Sequence, residues 1–187
     1  MSTIKLIQGS SVDDNVDATV NAANRNLLAG LGVCGAIFKK AGVEILQEAC
    51  DKVIENMGRP LIDGEAVITK AFGINNAKCV IHAVGPNFNI TPDSFDKLFL
   101  AYYNSLEVLK QNNLHSIAFP LISSGIFAGN IAEPAYESAK QCIEAYNKFV
   151  EENPDYEIDV RLFAFNENAI GECKRAFDEL MSKTKTL

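Results

Sequence analysis

Three stretches of this chain bring together residue types suited to holding a small anionic ligand. The first runs from Asn21 to Ile37, NAANRNLLAGLGVCGAI, and places Gly30, Gly32 and Gly35 within six residues, just ahead of a helical pattern. Glycine permits positive φ and lets a ligand approach the backbone closely. The helix start behind it leaves unpaired N–H groups at a positive dipole end. The alternative reading is a plain helix-entry turn capped by its asparagines. The second stretch, Pro120 to Asn130, carries Ser123, Ser124 and Gly125, whose hydroxyls and successive N–H groups suit a diphosphate. Phe127 stands there among small residues, either as a lid over a ligand or as a core side chain. The third, Phe165-Asn166-Glu167-Asn168, offers an aromatic face for a base and polar groups for its edge; a core Phe before a capped helix is the alternative.

These stretches need a scaffold, and the pattern supplies one. Strands are expected at Ile4–Gln8 (half-buried or at an edge), Ala18–Val20, Ala66–Thr69, Cys79–Val84, Ser116–Phe119 and Ile158–Phe165. Helices are expected from Gly35 through Met57, ended by Gly58-Arg59-Pro60, and from Thr91-Pro92-Asp93 to about Gln111. Two more are expected over Pro134–Val150 and Ala169–Met181, with residues 182–187 as a frayed tail. Strands alternating with long helices predict an α/β domain with a mostly parallel sheet covered on both faces. Ligands in such folds bind beyond the carboxyl ends of the strands, here after Val20, Val84, Phe119 and Phe165.

Length and charge narrow the function. A chain of 187 residues predicts one domain. Seventeen Lys and Arg against 24 Asp and Glu give a net charge of −7, which argues against extended nucleic acid but not against one anion held by N–H groups. No apolar run reaches membrane length, and MSTIKLIQGSS does not read as a signal peptide. Five widely spaced cysteines without a CxxC read as reduced thiols of a cytoplasmic protein. His82 and His115 lie in no ligand pattern, so no metal or cofactor is expected.

Four ordered motifs carry a resemblance. Val20-Asn21-Ala22-Ala23-Asn24, then Gly32-Val33-x-Gly35-Ala36-Ile37, then Ile81-His82-Ala83-Val84-Gly85-Pro86, then Phe119-Pro120-x-Ile122-Ser123-x-Gly125 resemble the macrodomain family. The likeness runs from Ile4 to Leu180. It is greatest to the branch with MacroD-type ADP-ribosyl hydrolases and bacterial O-acetyl-ADP-ribose deacetylases. It implies a three-layer α/β/α fold with a mixed, mostly parallel sheet, binding ADP-ribose in a cleft over that sheet. The chain as a whole, 1–187, is then expected to be a single, monomeric macrodomain.

The resemblance also implies roles. Asn24 would contact the distal ribose and serve turnover, with Asn21 structural. Gly30 and Gly32 would flank that ribose, with Ala29 and Leu31 replacing glycines and Leu31 narrowing the pocket. The segment Val33, Cys34, Gly35 would meet the near phosphate, and Ser123, Ser124, Gly125, Ile126 and Phe127 the second phosphate and its lid. Phe165 and Asn168 would wall the adenine. Ser10 and Ser11 occupy the adenine-edge position, where Ser10 replaces an acidic residue; Asp13 and Asp14 are nearby carboxylates. Cys34 replaces an Asp of many hydrolytic relatives. A thiol is a poor general base, but a helix N-terminus can lower its pKa, leaving a catalytic thiolate or a small neutral residue as readings. The implied activity is hydrolysis of mono-ADP-ribosyl esters on proteins, or of O-acetyl-ADP-ribose, by water; the alternative is a non-catalytic reader of ADP-ribose.

Overall fold

A computed structural model describes residues 1–185. Its six strands are β1 (Thr3–Gln8), β2 (Val16–Ala23), β3 (Ala66–Lys70), β4 (Ala77–Val84), β5 (Ser116–Phe119) and β6 (Asp159–Ala164). They form one sheet in the order β1-β6-β5-β2-β4-β3. Every neighbouring pair is parallel except β3 with β4. The helices are α1 (Gly32–Ala41), α2 (Val43–Met57), α3 (Phe95–Gln111), α4 (Pro134–Glu152) and α5 (Glu167–Lys185).

Two apolar clusters put the sheet between two helical layers. Ala18, Val20, Ile81, Ala83, Ile117, Phe119, Val160 and Leu162 face α3, α4 and α5 through Tyr102, Leu106, Ile143 and Phe149. Val80 and Val84 face α1 and α2 through Ile37, Phe38, Leu46 and Cys50. The expected three-layer α/β/α fold with a mostly parallel, mixed sheet is what forms. All five thiols are buried and free. Among the described residues no helix is long and apolar enough to cross a membrane.

Several boundaries differ from the expectation for identifiable reasons. β2 runs on to Ala23, so Asn21 is a strand residue in register with His82. α1 and α2 are separate helices because Gly42 adopts φ +104 between them. α3 starts at Phe95, because the Thr91 N–H and hydroxyl both donate to the Asn87 carbonyl and close a turn instead. α5 begins at Glu167 and reaches Lys185, so a tail frayed from 182 is not seen; residues 186 and 187 lie outside the described residues. β1 is an edge strand, as its alternation indicates.

Candidate functional site

The loops after β1, β2, β4, β5 and β6 all leave the sheet at the carboxyl ends of its parallel strands, and three cavities line up along them. The central one, about 460 Å³, is walled by Ala22 to Asn24, Gly30 to Cys34 and Pro120 to Phe127. A second, about 340 Å³, shares Val33, Pro120, Leu121 and Ser124 with it and extends to Ser10, Ser11, Phe165 and Asn168. A third, about 220 Å³, shares Asn24 and Phe127 and continues toward Arg25, Asp63 and Ile90. The result is one groove in three compartments. A larger cavity of about 710 Å³ lies elsewhere, between α2 and the β3 edge, away from these loops.

The central compartment is walled by a helix start on one side and a strained loop on the other. Leu31 precedes α1 and supplies no side-chain cap, so the asparagines expected to cap this helix do not. Gly35 N–H is the first to close an α1 bond, to Leu31 O. The N–H groups of Gly32, Val33 and Cys34 are therefore the helix's open donors. A Cβ on Gly35 would sit 2.6 Å from the Gly30 carbonyl, so only glycine lets the 27–31 loop lie against the helix start. Across the cavity, Ser123 adopts φ +59, a conformation costly for a non-glycine residue. A Cβ on Gly85 would fall 2.4 Å from both Ile122 Cγ2 and Ser123 Oγ, so the residue that follows β4 must be glycine for this loop to cross it. No Cβ clash exists at Gly125, where the backbone faces open space.

The serine hydroxyl hydrogens are already engaged within the protein. Ser123 Oγ donates to Pro86 O and Ser124 Oγ to Leu121 O, each at 2.7 Å. An anion therefore meets backbone N–H groups on this side, as on the other. Ile126 is exposed, and half-buried Phe127 lines both the central and third compartments instead of packing fully into the core.

Asn24 follows β2 and folds over its own loop. Its Nδ2 donates to Leu28 O at 2.7 Å and its Oδ1 accepts from Leu28 N–H at 2.9 Å. One amide hydrogen and one lone pair remain for a ligand. Gln47 of α2 pins the same loop, accepting from Ala29 N–H and donating to Leu27 O. The Cys34 thiol donates to Leu28 O. Burial pushes the Cys34 thiol pKa up from its ordinary value, against the helix-end lowering a thiolate would need. Leu31, 81% exposed, forms the rim. Arg25 and Asp63 form a two-pronged ion pair at 2.9 Å beyond Asn24.

Behind this loop runs a buried polar chain. Thr69 Oγ1 donates to Lys70 O, so it accepts from His82 Nε2 at 2.8 Å. His82 Nδ1 then accepts from Asn21 Nδ2 at 3.0 Å. Asn21 is fully buried, with an amide hydrogen committed to His82. Burial lowers the His82 pKa to about 4, which keeps the ring neutral.

At the far end, Phe165 is 73% exposed; it is a wall residue and not a core Phe. Asn166 Oδ1 accepts from Ala169 N–H and caps α5. Ser10 Oγ accepts from Val12 N–H at 3.4 Å, and Ser11 is buried behind it. Asp13 pairs with Lys40 and Asp14 with Arg161; neither lines the compartment, so neither stands in for an acid at Ser10. The acid that does line it is Glu172, on α5. Its Oε1 is buried without a hydrogen-bond partner among the described residues.

Sequence reasoning passed over Gln47, Arg25, Asp63 and Glu172, because a polar residue inside a charged helix or loop carries no spacing signal. Gly85 was legible only as part of a motif.

The Macro domain family model matches residues 20–141. The chain belongs to the macrodomain family. This macrodomain is 39% identical over 180 residues to an uncharacterized protein of Fusobacterium nucleatum, covering 95% of this chain and 96% of that one. It is 39% identical over 178 residues to a macro domain-containing protein of Caldanaerobacter subterraneus, covering 95% and 97%. Among solved structures it is similar to the Oceanobacillus iheyensis macrodomain, which has been solved with ADP: TM-score 0.84, 34% identity, 97% of this chain and 93% of that chain. The Trypanosoma brucei macrodomain in complex with ADP-ribose matches with TM-score 0.78 and 29% identity, over 92% and 68%.

Proposed function

We propose that this macrodomain binds ADP-ribose along the three-compartment groove and hydrolyses the ester that links its distal ribose to a protein carboxylate or an acetyl group. The observation that carries this reading is the pair of open N–H runs, Gly32–Cys34 and the Ser123–Phe127 loop, facing each other across one cavity. That arrangement suits a diphosphate. The base then lies against Phe165 and Asn168, and the distal ribose reaches Asn24. A related macrodomain solved with ADP-ribose supports the ligand class.

In the hydrolytic step, water attacks the ester linkage at the distal ribose: the acyl carbon of an acetyl ester, or the anomeric carbon or acyl carbon of a glutamyl ester. One ester C–O bond breaks, and the water's O–H and H end on the free carboxylic acid and ADP-ribose. Neutral Cys34 is no base for this water, so the substrate's own diphosphate polarises it while fixed N–H dipoles stabilise the developing charge. A second reading, a non-catalytic reader of ADP-ribose, is favoured by that same neutral thiol standing where a carboxylate base would act.

The test is a titration with ADP-ribose by calorimetry, beside release of ADP-ribose from a mono-ADP-ribosylated glutamyl substrate. Wild type is expected to bind and to release; Asn24→Ala is expected to bind within a few-fold and release at least about a hundredfold more slowly. Binding without release establishes the reader. Absence of binding removes both readings.

A further inference from the structure

The cavity of about 710 Å³ beside β3 takes its walls from both faces of the sheet. Val53 and Phe72 pack with the α1–α2 cluster, Ile68 and Cys79 with the α3 cluster, yet all four line this one space. A cavity can touch both faces only at a sheet edge, and β3 is the edge strand. It meets the cavity with open backbone. Val84 N–H donates to Glu65 O, and the register sets Val67 against His82 and Thr69 against Val80. Antiparallel pairing alternates, so Val67 and Thr69 bond to β4 while Ile68 turns its N–H and C=O outward. Lys70 turns its N–H outward too; its carbonyl already accepts from Thr69 Oγ1. Alongside runs a stripe of α2 at four-residue spacing, Ile45, Ala49 and Val53. An open strand edge beside an apolar stripe suits an added strand.

The rim carries charge opposite to that of the chain. Lys52, Lys70 and Lys78 stand there against Glu48, on a chain of net charge −7. Lys52 pairs with Glu48 and Lys78 with Asp17. Among the described residues Lys70 forms no ion pair. A second copy paired edge to edge would set this basic rim against itself, and edge lysines are a common device against such self-pairing. An acidic strand meets the rim with opposite sign.

We infer that the β3 edge is a docking site for an extended acidic segment of another protein. The segment adds to the sheet beside β3, with alternate apolar side chains against the α2 stripe and its carboxylates at the lysine rim. The site is separate from the ADP-ribose groove and does not depend on that reading.

The probe is a fluorescein-labelled heptapeptide of alternating Glu and Val, titrated by anisotropy against the full chain. An alternating Lys and Val peptide tests charge, and a Glu–Val peptide N-methylated at every residue tests backbone pairing. Both are expected to bind at least about tenfold more weakly than the parent. Lys70→Glu is expected to weaken the parent peptide by about threefold to tenfold, with its melting temperature unchanged. Hydrogen exchange is expected to slow at the Ile68 and Lys70 amides on peptide addition, and not at Val67 or Thr69, which already bond to β4. Equal binding by the N-methylated or the Lys–Val peptide overturns the assignment, as does no binding of the Glu–Val peptide up to about 1 mM. A dimer in sedimentation velocity that Lys70→Glu abolishes would give the edge to a second copy instead, and overturns it too.

Discussion

His82 shows how a single residue can carry a measurable share of this fold. Its ring donates to Thr69 and accepts from Asn21, and burial lowers its pKa from 6.5 to about 4. Between those values the unfolded chain binds a proton that the folded chain refuses. Stability therefore rises with pH across this window and falls on acidification through it. The shift corresponds to about 3 kcal/mol between pH 7 and pH 4. Urea unfolding across that range, on wild type and His82→Gln, is expected to show wild type losing about this much more than the variant. Equal pH slopes would mean that the ring is not held neutral. The same scale shows what residue types cannot reveal. Ser123 and Ser124 suggest hydroxyl donors, but each hydroxyl closes its own loop, and only the three-dimensional path decides which hydrogen is free.

At the scale of elements, the decisive contact is α1 against the 27–31 loop. An alanine in an exposed helix generally stabilises relative to glycine by about 1 kcal/mol. Gly35→Ala should do the reverse, because its Cβ would meet the Gly30 carbonyl at 2.6 Å. Its expected effect is a lower melting temperature, a stability loss of about 1–3 kcal/mol and at least about a tenfold loss of ADP-ribose affinity. A variant that melts higher and binds normally would show that this approach does not shape the site. The elements were largely legible from periodicity and breakers: β4, β5, α2 and α4 lie where their apolar spacing puts them. The misplacements have local causes. Thr91-Pro92-Asp93 has the composition of a helix start, yet Thr91 bonds backward to Asn87, a choice made by the 87–91 turn and invisible to composition. Loop positions were legible from glycines and strand ends. Gln47 and Glu172 were not, since both come from helices whose polar face looks like ordinary solvated surface.

For the whole molecule, the net charge of −7 makes an unusual prediction. Among the described residues, no Lys or Arg lines the central compartment or the one holding Phe165. A dianion gripped by Lys and Arg loses affinity as salt rises. On the proposed reading, the protein as a whole repels the dianion and the grip consists of neutral dipoles, so added salt screens repulsion. ADP-ribose affinity is expected to hold or rise, by no more than about threefold, between 50 mM and 500 mM NaCl. A steep fall in calorimetric affinity over that range would place a cation in the grip after all.

The loop from Asn24 to Gly30 is tied by three side chains from three elements: Asn24 beyond β2, Gln47 on α2 and Cys34 on α1. A wall fastened in this way before any ligand arrives has little ordering entropy left to lose on association. On the proposed ADP-ribose reading, encounter is then expected to need no rearrangement, and stopped-flow binding of ligands that differ only at the distal ribose is expected to give a common on-rate. Differences between them are then expected in the off-rate, and on-rates that vary widely would show that this wall adapts after all.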